Sequence, residues 1–111
     1  MGMSEAKVQK AEVVKLLDLI AYQAGSVVSR EIVSRPTGTA TLFAFDADQG
    51  LSEHTAPFDA VVQILDGEAC LVIGGQEISA AAGQLVVMPA HVPHSLRAER
   101  RFKMLLTMIR S

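Results

Sequence analysis

Apolar and polar positions alternate along most of this chain in short stretches. Breaks between them come at the spacing of about 8–12 residues that marks antiparallel sandwiches and barrels. Residues 26–33 are rich in β-branched side chains, and Pro36 and Gly38 then interrupt the chain. Over 39–45 the alternation is clean, with Thr39, Thr41, Phe43 and Phe45 on one face and Ala40, Leu42 and Ala44 on the other. Residues 46–52 read as a turn-rich loop around Gly50. A nearly continuous apolar strand is predicted over 60–65, closed by the turn pair Asp66-Gly67. A further strand over 69–73 ends at Gly74-Gly75, and another over 76–80 ends before Gly83. Strands over 85–88, 95–98 and 102–109 complete the set, the last with Phe102, Met104, Leu106 and Met108 on one face. About eight strands result, several apolar on both faces, which implies burial on both sides of the sheet.

Before residue 25 the texture differs. Val13, Leu16, Leu17, Ile20 and Ala24 fit one helical face and Gly25 offers a stop, although a strand followed by a helical turn fits as well. The segment is expected to pack across the outside of the barrel. Residues 1–12 are polar and read as a loose N-terminal segment, leaving 13–111 as a single all-β domain.

Composition sharpens this picture. In a chain of 111 residues, 50% hydrophobic and 20% charged is apolar for the large surface a small domain must wet. A ligand cavity and a subunit interface are the natural places for the excess, so a homodimer is expected. A net charge of −2 gives no basic field for nucleic acid or an anionic membrane. The densest basic cluster, Arg97, Arg100, Arg101 and Lys103, is interrupted by Glu99 and reads as a solvated hairpin turn. The single cysteine, Cys70, suits a reducing compartment and sits in an apolar run as a packing residue. With no secretory pattern and no apolar run near the ~20 residues needed to span a bilayer, a cytoplasmic location is expected.

Candidate chemistry centres on three histidines, His54, His91 and His94, all near predicted strand ends. Imidazoles gathered at one barrel mouth are suited to hold a divalent metal, whereas each taken alone reads as a polar loop residue or a hydrogen-bonded core histidine. Gly83, Pro89 and His94 stand at the spacing Gly-x5-Pro-x4-His, with His91 and Ala98 within and after it. His54 and Gly67 frame an earlier pattern in which Ala56 and Ala60 take positions two and six after His54.

Over roughly residues 26–109 the sequence resembles the cupin superfamily, whose members fold as antiparallel jelly-roll barrels. The resemblance implies a cupin barrel preceded by a short helical or extended segment. It places His91 at a turn glycine of the second cupin motif and Ala98 at its Asn. In the first motif, Ala56 stands for the second His and Ala60 for the Glu. Metal-using members show three His and one Glu as ligands, of which His54 and His94 carry over. A divalent transition metal would therefore need a third ligand, with His91 and Asp59 as the candidates.

Two functions follow. In the first, a small molecule binds in the barrel, with His54 and His94 as polar groups and Phe45, Met88 and Met104 among the lining, in a cavity enlarged by Ala56 and Ala60. In the second, the chain is a metal-dependent cupin enzyme of isomerase, lyase or oxygenase type that uses His54, His94 and a third ligand.

Overall fold

Alternation of apolar positions gives each strand one face for the interior, and the chain closes those faces on one another. The computed structural model describes residue 8 and residues 10–110. The expected loose segment 1–12 falls for most of its length on residues outside that set. Eight strands follow in order: β1 (Val27–Arg35), β2 (Gly38–Phe45), β3 (Gly50–His54), β4 (Ala60–Ile73), β5 (Gln76–Ala81), β6 (Leu85–Met88), β7 (His94–Arg97) and β8 (Phe102–Ile109). All pairings are antiparallel. One sheet runs β1-β2-β8-β4-β6 and the other β5-β4-β7-β3, so β4 serves both. This is the antiparallel barrel that the resemblance implies. Among the described residues no helix is long and apolar enough to cross a membrane.

The interior holds Phe45, Val62, Ile64, Leu71, Phe102 and Met104, each almost fully removed from solvent. Burial of one such side chain contributes about 1.5–3 kcal/mol. The Phe45 and Phe102 rings stack with centroids 4.5 Å apart.

Two expectations about the strands change. The predicted strands 60–65 and 69–73 are one strand, and Asp66-Gly67 is no hairpin turn. The ladder to β8 shifts between Ile64 and Asp66, and Gly67 adopts φ +76°. A Cβ at Gly67 would collide with the Arg101 carbonyl oxygen and crowd Phe102, so the bend requires glycine. The loop expected over 46–52 instead leads into β3, which pairs with β7.

No α-helix forms over 13–24. A single 3-10 turn, Leu16–Asp18, interrupts an otherwise extended strap. Val13 is fully exposed and only Ile20 is buried, against Leu42 and Ala44 on the outer face of the first sheet. The carbonyls an α-helix would use internally serve the barrel instead. Leu19 O accepts from Arg30 Nη1 at 2.9 Å, and Leu17 O accepts from Lys103 Nζ at 3.0 Å. Tyr22 lies under Arg101 and Lys103, and its hydroxyl donates to Asp66. Half of the basic cluster read as a solvated turn is therefore a clamp on the strap.

Asp46 closes the clamp, accepting from Gly25 N at 2.7 Å and from Arg101 Nε at 2.8 Å. The Arg101 bond, and next the Gly25 amide, hold its carboxyl down to about 2. A depressed folded-state value contributes attachment that is present above the ordinary carboxylate range and lost as pH falls toward 2. Tyr22 is the sole tyrosine of a chain without tryptophan, so its fluorescence reports on the strap. That signal is expected to change between about pH 4 and pH 2 before the barrel unfolds, and Asp46→Asn is expected to show the low-pH signal already at pH 7. Coincidence of the Tyr22 change with the loss of β-sheet circular dichroism in both proteins would contradict this attachment.

Candidate functional site

His54 ends β3, His94 begins β7, and the two are direct cross-strand partners. Regular alternation from Leu51, which pairs with Leu96, would put Glu53 opposite His94 and turn His54 outward. An irregularity between Leu51 and His54 adds one residue, and the ring of His54 swings to the inner side. The same irregularity leaves the Ser52 carbonyl 2.8 Å from His54 Nδ1. Across the ladder, His94 Nδ1 lies 3.2 Å from the Val92 carbonyl. A carbonyl can only accept, so both Nδ1 atoms donate. Both Nε2 atoms then carry the lone pair of the neutral ring, and they face each other at 3.1 Å. Three hydrogen bonds need three ring protons, and two neutral imidazoles hold two.

The rings meet edge to face with centroids 4.3 Å apart. His94 is 4% exposed, whereas His54 stands in solvent at the mouth. Burial pushes the His94 imidazole below its ordinary value, and positive charge on His54 acts in the same direction, against the bond to Val92.

Behind the pair lies a cavity of about 210 Å³ inside the barrel. Leu51, Phe58, Leu96, Leu106 and Met108 line it together with Met88 and Met104, and the two histidines are its only polar side chains among the described residues. Ala56 and Ala60 also line it, which agrees with the room expected from two short residues at those positions. A larger depression, about 700 Å³, runs along the outer side of β4 and β5 past Cys70, Glu77 and Ser79. Four of its polar residues are paired with one another: Ser79 Oγ donates to Glu68, and Cys70 Sγ lies 3.3 Å from Glu77. Burial and the Glu77 carboxylate raise the Cys70 thiol, the reverse of an activated nucleophile. The inner cavity is the candidate site.

Of the residues expected there, His54, His94, Met88 and Met104 converge on it. Phe45 does not line the cavity; it stacks between Phe43 and Phe102 deeper in the core. His91 keeps the left-handed backbone of the glycine it replaces, with φ +65°, and its side chain is exposed. Its backbone amide bonds the Ala56 carbonyl. Asp59 caps the loop before β7, accepting from Ala90 N at 2.8 Å, and does not reach the cavity. Leu51, Phe58 and Leu96 were not expected. Leu51 lies within the stretch read as a loop, and Phe58 lies between strands, where no alternation marks an inward side chain.

A metal ion in such a site takes three or more protein ligands. Two imidazoles converge, and among the described residues no group of three or more His, Cys, Asp or Glu is placed to hold a metal. The residues present do not fit a resident metal centre.

Comparison with known proteins agrees with this architecture. Residues 41–109 match the family described as Cupin domain. A conserved protein of unknown function from Streptococcus pyogenes superposes with a TM-score of 0.89 at 35% identity, covering 94% of this chain and 91% of that one. A cupin 2 conserved barrel domain protein from Leptotrichia buccalis superposes with a TM-score of 0.82 at 36% identity, over 84% of this chain and 45% of the other. A cupin superfamily protein from Desulfitobacterium hafniense gives 0.87 at 26% identity, over 94% and 95%. No curated protein matches.

If ligand number is what this site lacks, restoring it should restore metal binding. Ala56→His with Ala60→Glu is expected to retain about one zinc per chain after incubation and desalting, measured by elemental mass spectrometry. The parent protein is expected to retain far less than one. Stoichiometric zinc on the parent would overturn the two-ligand account.

Proposed function

We propose that this chain, which belongs to the cupin family, binds a small, largely apolar molecule inside its barrel beside His54 and His94. One observation carries the reading: an inner cavity whose wall is apolar except for two histidines side by side at its mouth. That is the composition of a small-molecule site, in which apolar walls supply affinity and a few polar groups supply orientation. A volume of about 210 Å³ is below the roughly 300–1,000 Å³ of sites for drug-sized ligands, so the ligand is correspondingly smaller. Methionines at three wall positions, Met88, Met104 and Met108, adapt the wall to the shape of what enters.

The test is a thermal-shift screen of one-ring and short-chain molecules, with methionine methyl resonances as the readout of location. A ligand at 100 times its Kd is expected to add about 2.7 kcal/mol. That corresponds to roughly 10 °C in Tm for a domain of this size. Ala56→Phe, which pushes a ring into the cavity, is expected to abolish the shift. Binding that survives in Ala56→Phe, or that leaves the Met88, Met104 and Met108 methyls unmoved, would place the ligand elsewhere and sink the proposal.

A second copy of the chain is proposed as the partner, on the outer face of the first sheet. One register row there is free of charge across five strands: Val87, Val61, Thr107, Ala40 and Val33. At the usual spacing between strands the row is about 19 Å long. Leu85, Val87, Val33 and Ile109 on this face are each about half exposed. The face continues directly from the patch that the strap covers at Leu42 and Leu105. Sedimentation equilibrium is expected to give a dimer for the parent chain and a monomer for Leu85→Glu/Val87→Glu. A monomeric parent, or a dimer undisturbed by both glutamates, would contradict this assignment.

A further inference from the structure

The facing Nε2 atoms specify more than a place for a ligand. With each Nδ1 committed to a backbone carbonyl two residues earlier, neither ring can offer a second N–H while it is neutral. Two acceptor lone pairs then meet at 3.1 Å, a contact that becomes a hydrogen bond only when a proton enters it. The proton makes the pair a cation, and its N–H···N bond is of the strong, charge-assisted kind. A cation at an apolar cavity needs a counter-charge.

The surroundings supply none within the cavity. On β3, Glu53 is exposed and takes the position beside His54 that the bulge turns away from the cavity. At the start of β4, Asp59 is bonded to Ala90 N. In the loop before β7, His91 is exposed, and Arg97 at the far end of β7 is exposed as well. Beyond β8, the Arg110 guanidinium lies 5.6 Å from the Phe58 ring centroid, on a residue of the cavity wall. That guanidinium is itself cationic, and among the described residues no carboxylate lines the cavity.

We infer that the cavity ligand is a small weak acid with an apolar body, held as its anion against a proton shared by His54 and His94. The inference rests on the reading of the barrel as a binding cavity. The proton balance is simple. An acid that enters undissociated breaks its O–H bond and the proton moves to Nε2 of the pair, leaving the anion beside the imidazolium. An acid that is already ionised in solution binds with uptake of one proton from the solvent. In both cases the complex is neutral and all three hydrogen bonds of the pair are made. A neutral alcohol or amide of the same shape can donate to a lone pair but brings no proton to the contact between the rings. Burial resists charge on His94 in the free protein, and the charge of the anion offsets that penalty once it is in place.

Benzoate, benzyl alcohol and benzamide, matched in size, make the test. Titration calorimetry of the full chain at pH 6 is expected to show benzoate binding at least tenfold more tightly than either neutral probe. Repeating it at pH 8, above the ordinary imidazole range, in buffers of different ionisation enthalpy is expected to show uptake of about one proton per benzoate. Between pH 7 and pH 8.5 the benzoate Kd is expected to rise about tenfold per unit, while that of benzyl alcohol stays level. His54→Gln is expected to bring benzoate down to the affinity of benzyl alcohol. Equal affinity for the three probes, or benzoate binding without proton uptake, would overturn the acid assignment and leave the binding cavity standing. If none of the three moves the Met88, Met104 and Met108 methyls at millimolar concentration, the binding reading and the acid assignment fall together.

Discussion

Strand β4 belongs to both sheets, and the barrel closes only because that strand changes phase in its middle. Ala60, Val62 and Ile64 point inward from its first half, and Ala69 and Leu71 from its second. Side chains in a regular strand alternate strictly, so even-numbered and odd-numbered residues cannot both face one interior. One extra residue at Leu65, where the ladder to β8 slips, converts one parity into the other. Leu65 and Asp66 both then face outward, where Leu65 packs under the strap and Asp66 accepts from Tyr22. Gly67 absorbs the left-handed turn that follows. The bend therefore unites the two halves of the core and also provides the outer anchor for the N-terminal segment.

The same device recurs where it matters for chemistry. A slip between Glu31 and Val33 turns Ile32 and Val33 to the outer face together, the first under the strap and the second into the uncharged row. A slip between Leu51 and His54 brings His54 to the side of the sheet on which His94 stands. It also frees the Ser52 carbonyl to take the Nδ1 proton, which fixes what the other ring nitrogen can do. The register of one short edge strand thus decides both the position of His54 and its hydrogen-bonding character.

Alternation in a sequence reports phase within a strand and is blind to a change of phase between strands. That is why β2, β6 and β8, which insert no extra residue of their own into their ladders, were legible residue by residue. Their inward residues include Phe43, Phe45, Met88, Met104 and Leu106, as the pattern required. Where a bulge intervenes the reading failed locally. Asp66-Gly67 has the composition of a hairpin turn, and only the pairing of both flanks with the same neighbour, β8, shows it to be a bend. The strap failed for a different reason. Its apolar spacing fits a helix, but Arg30 and Lys103, distant in sequence, compete for the carbonyls that a helix would need. Within the site, His54 and His94 were legible through the cupin resemblance that their spacing to Gly67 and Gly83 carries. Their shared contact was not, because it depends on carbonyls whose direction the bulge sets. Phe45 was misplaced because facing inward and lining the cavity are separate properties, and Phe102 covers it.

The cavity itself is an argument about energy. At about 24 cal/mol per Å³, an unfilled space of about 210 Å³ in a core costs up to about 5 kcal/mol. That is comparable with the whole stability of many domains, which is about 5–15 kcal/mol. The opening at His54 lets solvent reach the space, so the figure is an upper bound. Even so, a larger side chain at Ala56 or Ala60 would recover part of it, and both positions carry alanine. Stability alone does not account for two small residues on the wall of this cavity. Nor does it account for a histidine pair that leaves its central hydrogen bond unmade until a proton arrives. Both features are costs in the empty protein, and the small acid proposed above would remove both: its apolar body would fill the space, and its acid group would complete the pair.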